Sequence, residues 1–144
     1  MNDPHAKFEE IFRRAPPTFV MMGGRVVDYD TEEGRATVTW EAKPEFGNPW
    51  GVVQGGILAA MLDDTAAIAG VVKTGGKVVF PTLEFKTSFL KPAKTGKLTA
   101  EGRVVKMGYS VAFLEAEIFD EEGDVVARMS VTAKLRTLNR AADD

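Results

Sequence analysis

Apolar and polar residues alternate along much of the chain, most regularly near its end. Val125, Ala127, Met129, Val131, Ala133 and Leu135 fall on one side of an extended segment, and Arg128, Ser130, Thr132, Lys134 and Arg136 on the other. That period predicts a strand over 124–137, and similar alternation predicts strands over 78–90, 97–106 and 109–120. Turns are expected at Lys91-Pro92, Met107-Gly108 and Glu121–Asp124. Two earlier strands, 18–29 and 35–42, are joined by the acidic turn Asp30–Gly34. Between the early and late strands the alternation stops. Residues 54–73 lack proline and are rich in alanine, leucine and isoleucine, which predicts a helix of about 30 Å at 1.5 Å per residue. A shorter helix is expected over 4–15, where Asp3 can cap, Pro4 suits the first position, and Phe8, Ile11 and Phe12 share a face. One long helix against a mostly antiparallel sheet is an α+β layer fold. With no internal repeat or linker, the 144 residues are expected to form one domain, its core over about 18–137.

The long helix predicts two faces. Ile57, Met61, Leu62, Thr65, Ile68 and Val72 form a bulky stripe, with Ala59, Asp63, Ala66, Ala67 and Gly70 opposite. A solvent-facing side would carry lysine or glutamate, so alanine and glycine imply a second protein surface there, with a neighbouring subunit the obvious candidate. Asp63 stands in the middle of that face. A carboxylate in a water-poor groove is costly unless it is bonded or used, which makes Asp63 a candidate general base or nucleophile. A structural aspartate is the alternative reading. Asp64 is expected at the edge of the bulky stripe. The helix opens with Gln54-Gly55-Gly56, without Ser, Thr or Asp to cap it. Free N–H groups at the positive end of the helix dipole suit a polarised carbonyl oxygen, although a glycine pair can also serve packing alone.

Composition narrows the chemistry. Cysteine is absent, which removes disulfides, thiolate metal sites and cysteine nucleophiles together. The single histidine is His5, so a Ser-His-Asp triad or a histidine-rich zinc site is hard to build. No bilayer-spanning apolar run and no signal segment are expected, which points to a cytoplasmic protein. The net charge of −3 argues against nucleic-acid binding. Basic residues concentrate over 73–106, with Lys73, Lys77, Lys86, Lys91, Lys94, Lys97, Arg103 and Lys106 against only Glu84 and Glu101. Such a stretch could meet a small polyanion, although a solvated lysine face is the commoner meaning of a charge run.

The run from Asn48-Pro-Trp-Gly-Val-Val-Gln54-Gly55-Gly56 to Met61-Leu-Asp63, followed by Leu83-Glu-Phe-Lys-Thr-Ser-Phe-Leu-Lys-Pro-Ala93, resembles the hotdog-fold acyl-CoA thioesterases of the phenylacetate-degradation (PaaI-like) type. The resemblance covers about residues 18–137. It implies an antiparallel sheet wrapped around a long central helix, paired subunits with composite active sites, and commonly tetramers. Residue by residue, it implies that Asp63 is the catalytic carboxylate, base or nucleophile, acting on the thioester bound by the other subunit. Gly55 would polarise the thioester carbonyl, Asn48 would orient the reacting groups, and Thr82 would position water. Asn48 can also be read as a plain Asn-Pro turn residue and Thr82 as an ordinary strand threonine. The family motif usually has histidine where this chain has Gln54, which can donate and accept hydrogen bonds but cannot take a proton near neutrality. Gly56, Lys91, Lys94, Lys106 and the turn Gly108-Tyr109-Ser110 are candidates for contact with coenzyme A.

The implied function is hydrolysis of an acyl-CoA thioester to free acid and coenzyme A, with the coenzyme as part of the substrate and no metal or redox cofactor. The alternative is a non-catalytic hotdog protein that binds or senses acyl-CoA. A hydratase is disfavoured because His5 precedes the core. Trp50, Met61, Phe80, Phe85 and Phe89 could line an acyl pocket, but a hydrophobic core needs the same residue types. The acyl group, and coenzyme A versus carrier protein as thiol, stay open.

Overall fold

The computed structural model describes residues 15–138. The helix expected over 4–15 falls outside them apart from Ala15, which is not helical. The described elements are α1 (Pro17–Met21), β1 (Arg25–Asp30), β2 (Arg35–Ala42), a 3-10 turn (Pro44–Phe46), α2 (Gly55–Lys73), β3 (Val78–Val79), β4 (Thr82–Phe89), β5 (Gly96–Met107), β6 (Val111–Phe119), β7 (Val125–Lys134) and β8 (Arg136–Thr137). Three expected strands are altered. The segment read as strand from residue 18 begins as α1, because Pro17 suits a first helical position and Phe19 turns into the core. Pro81 has no N–H to give, and the strand expected over 78–90 breaks there into β3 and β4. The last strand divides at Leu135, whose N–H turns to the Ser110 carbonyl.

Six strands form one antiparallel sheet in the order β1-β2-β5-β6-β7-β4, and β3 pairs with β8 separately. The sheet curls around α2. Its inner face is built largely from small side chains, with Ala36, Ala42, Ala100, Ala112, Ala116, Ala127 and Ala133 all buried, and these let the backbone wrap closely around the helix. Contact is tightest at Gly102, where a Cβ would lie 2.4 Å from the Thr65 carbonyl oxygen. Trp40 fills the centre edge-on to Phe19, at 5.1 Å between ring centroids. Its indole N–H donates to Thr65 Oγ1 (3.2 Å), and that hydroxyl donates to the Met61 carbonyl (2.7 Å), so the fully buried hydroxyl of Thr65 is satisfied.

The helix is turned relative to the two-faced expectation. Met61, Leu62, Thr65 and Val72 are buried as expected, but so are Ala66 and Gly70. Gly70 lies under the Phe80 ring, where a Cβ would come within 2.8 Å. Those two small residues therefore serve packing inside the chain, Gly70 under the Phe80 ring and Ala66 within the main core cluster. The open side runs along Ala60, Asp64, Ala67 and Val71, all half-buried, with Asp63 at its edge. In length and composition α2 would suffice to cross a membrane, contrary to expectation, yet it is the core helix of the sheet.

The sheet has two unlike edges. On β1 the ladder is interrupted between Val26 and Asp28 and the strand carries three charges, Arg25, Asp28 and Asp30, features that discourage pairing. The other edge, β4, is exposed along nearly all of its length, and Leu83, Phe85 and Phe89 stand open on it.

Candidate active site

The strand order places β4, which follows α2 in sequence, at the far edge of the sheet beside β7. Thr82, its first residue, thereby reaches the helix, and its hydroxyl donates to Asp63 Oδ1 at 2.7 Å. Among the described residues, the second carboxylate oxygen of Asp63 has no hydrogen-bond partner. Asp64, next along the half-buried side, is driven by burial, and secondarily by the Asp63 charge, from 3.8 up to about 6.

The second group lies at the helix start. Asn48 Oδ1 accepts from the N–H groups of Trp50 (3.0 Å) and Val52 (3.1 Å), folding the loop into an Asx turn. That loop is pinned by Val53 N–H to the Ala93 carbonyl and by pairing of Val52 with Lys94. Gln54 is the N-cap, but its side chain makes no capping bond. Among the described residues the N–H groups of Gly55 and Gly56 have no acceptor, and space beside Gly56 is open. Unpaired donors with little bulk around them can receive an anionic or carbonyl oxygen.

The sequence candidates thus fall into two groups. Asn48, Gln54, Gly55, Gly56 and Lys94 gather at the helix start. Thr82 joins Asp63, and the backbone ladder Thr82–Ala133–Ala112, with Ser110 bonded to Leu135, brings the Gly108–Ser110 turn and Lys106 toward that end. Gly108 is required by the turn itself, since a Cβ there would meet the Val111 carbonyl oxygen at 2.4 Å. Gly55 and Asp63 are eight residues apart, about 12 Å along a helix axis. A nucleophile and a carbonyl donor must stand within about 3 Å of one reacting group. One chain therefore cannot bring both to the same thioester.

Lys91 does not join either group. Its ammonium donates to Asp120 Oδ2 (2.7 Å), Asp124 Oδ2 (2.7 Å) and Glu122 Oε2 (3.3 Å), and is held well above its ordinary range chiefly by the Asp120 and Asp124 bonds. The same lysine holds Asp120 below the usual carboxylate range. These three acids could otherwise gather around a cation, but Lys91 already occupies the position, and it is not free for a phosphate. Nothing in the sequence marked these acids as its partners. Of the five pocket candidates, Met61 and Phe80 belong to the core, whereas Trp50, Phe85 and Phe89 are exposed.

A curled antiparallel sheet around one helix, with a hydroxyl-anchored aspartate on that helix and a glycine pair at its start, defines a hotdog thioesterase domain. Comparison with known proteins agrees. The thioesterase superfamily profile matches residues 51–127. "Putative esterase SSO2140" of Saccharolobus solfataricus is 34% identical over 128 residues, 89% of each chain. The 1,4-dihydroxy-2-naphthoyl-CoA hydrolase of Listeria monocytogenes is 24% identical over 105 residues, 72% of this chain and 85% of that one. Among solved structures, the phenylacetic acid degradation-related protein of Ralstonia eutropha JMP134 superposes with a TM-score of 0.81 at 31% identity, covering 89% of this chain and 98% of that one. The chain belongs to the thioesterase superfamily, and its activity class is thioester hydrolysis.

Proposed function

We propose that the protein is an acyl-CoA thioesterase that works as a dimer, or as a tetramer built from two such dimers, with each active site shared between two copies. The carrying observation is the separation of its two half-sites along α2, which asks for a second chain to complete the site. The open, apolar β4 edge supports the same reading, because an unpaired strand of this kind is a template for pairing with another copy. The coenzyme A assignment draws support from the substrate in the name of the Listeria relative.

In the shared site, Gly55 N–H and the positive end of the α2 dipole stabilise charge on the carbonyl oxygen. Asp63 of the partner subunit drives the attack, as general base on water or as nucleophile, with Thr82 holding one oxygen and fixing the direction of the other. Asn48 oxygen is committed to its own turn, which leaves its NH₂ group to orient the thioester. Gln54 contributes hydrogen bonds only. Lys94 from one half-site, with Lys106 and the Gly108-Tyr109-Ser110 turn from the other, supplies contacts for the coenzyme. These roles call for no metal or redox cofactor. Free thiol release across straight-chain and aromatic acyl-CoAs tests the reading, with Asp63→Asn as the control. Loss of about 10²–10⁴-fold in kcat is expected in the variant. Tight thioester binding without turnover by the wild type would instead mark an acyl-CoA binding protein, a role that Gln54 in the histidine position would suit.

A further inference from the structure

We infer that Phe89 sets which acyl groups the site accepts, its ring forming the wall beside the carbonyl position. The inference rests on the thioesterase reading above and adds a specificity-determining residue to it. Of the apolar side chains that could line an acyl pocket, Met61 and Phe80 are 0% and 5% exposed and belong to the core, whereas Trp50, Phe85 and Phe89 are 82%, 45% and 54% exposed. Only Phe89 meets the helix start: a Cβ built on Gly55 would lie 3.1 Å from its Cζ, 3.3 Å from Cε1 and 3.6 Å from Cε2. The far end of the ring therefore rests against the Gly55 backbone, beside the N–H assigned to the carbonyl oxygen.

The register of β4 explains why that ring is there. Phe85 and Phe89 pair with Val131 and Ala127, both buried on the inner face, so the two rings share the helix side of the edge strand. Thr82 at the other end of that strand is bonded to Asp63. One strand thus borders the helix from its catalytic carboxylate back to its first residue. An acyl group whose carbonyl docks on Gly55 N–H must leave either past the Phe89 ring or over Gly56, where space is open. Ring bulk then limits how much hydrocarbon fits beside the carbonyl, and the ring face rewards what does fit.

The test measures kcat/KM for wild type, Phe89→Ala and Phe89→Trp on acetyl-, butyryl-, hexanoyl-, octanoyl- and benzoyl-CoA. Circular dichroism and size exclusion establish that each variant keeps its fold and assembly. A methylene newly accommodated gains roughly fourfold, from about 0.8 kcal/mol of buried CH₂. The octanoyl-to-butyryl ratio should therefore rise at least about tenfold in Phe89→Ala and fall in Phe89→Trp. Profiles that keep the wild-type ratio within about twofold in the folded variants would overturn the role of Phe89 while leaving the thioesterase reading intact. A wild type inactive on every thioester would overturn both. Because Phe89→Trp keeps an aromatic ring on the strand, it decides the question even if the alanine variant does not fold.

Discussion

Replacing Asp64 by asparagine should stabilise the protein, and by an amount that depends on pH. Asp64 is half-buried on the open side of α2 beside Asp63, and burial carries its carboxyl from 3.8 to about 6. In the unfolded chain the group ionises near 3.8, so between about pH 4 and 6 the folded form binds more protons than the unfolded one. Stability is therefore lost as pH rises through that window and stays reduced above it. A shift of this size corresponds to at most about 3 kcal/mol. Water still reaches part of the side chain, which reduces the effect to about 1–2 kcal/mol. Asparagine has nearly the same shape and no charge to desolvate. Asp64→Asn should thus match the wild type near pH 4 and gain about 1–2 kcal/mol by pH 7.5. Urea unfolding at a fixed protein concentration, followed by fluorescence of the buried Trp40, measures the difference at each pH. A variant less stable than wild type at pH 7.5 would refute the reasoning, because it would mean that the ionised carboxylate has a partner that favours it.

Thr82→Val should lower kcat about ten- to hundredfold with KM nearly unchanged, since a hydrogen bond to a charged group contributes about 1.5–3 kcal/mol and here it directs Asp63. Steady-state kinetics check this, and an unchanged kcat would remove Thr82 from the mechanism. Gly102→Ala should lower stability by about 1–3 kcal/mol, because its Cβ would stand 2.4 Å from the Thr65 carbonyl oxygen and neither backbone can yield freely. A urea midpoint equal to that of the wild type would show that the sheet and helix separate more easily than their packing implies.

Local periodicity determined most of the elements. The alternation in 35–42, 97–106 and 109–120 and the proline-free run 54–73 became β2, β5, β6 and α2 with boundaries displaced by at most two residues. Asp63 and the Gly55-Gly56 start stand out in the sequence for a similar reason: both are departures from what a solvent-facing helix or an ordinary helix cap would carry, and such departures are visible within one segment. What failed locally was the segment after Pro16-Pro17, where apolar residues that would suit a strand form one helical turn, and the break at Pro81.

Only the tertiary structure decided how far around the helix the sheet closes. Ala66 and Gly70 resemble an open face on a helical wheel, yet Phe80 and the curled sheet bury them, and Asp64 stands on the open side instead. Strand order is equally non-local. Thr82 bonds to Asp63 because β4 crosses to the edge beside β7, and the capture of Lys91 depends on acids about thirty residues further along the chain. Residue spacing specifies which groups share one element, because backbone geometry repeats over a few residues. Which elements face each other is settled by packing all of their apolar surfaces at once. That packing also leaves Gly55 and Asp63 on one helix, about 12 Å apart along its axis, the separation on which the proposed two-chain site rests.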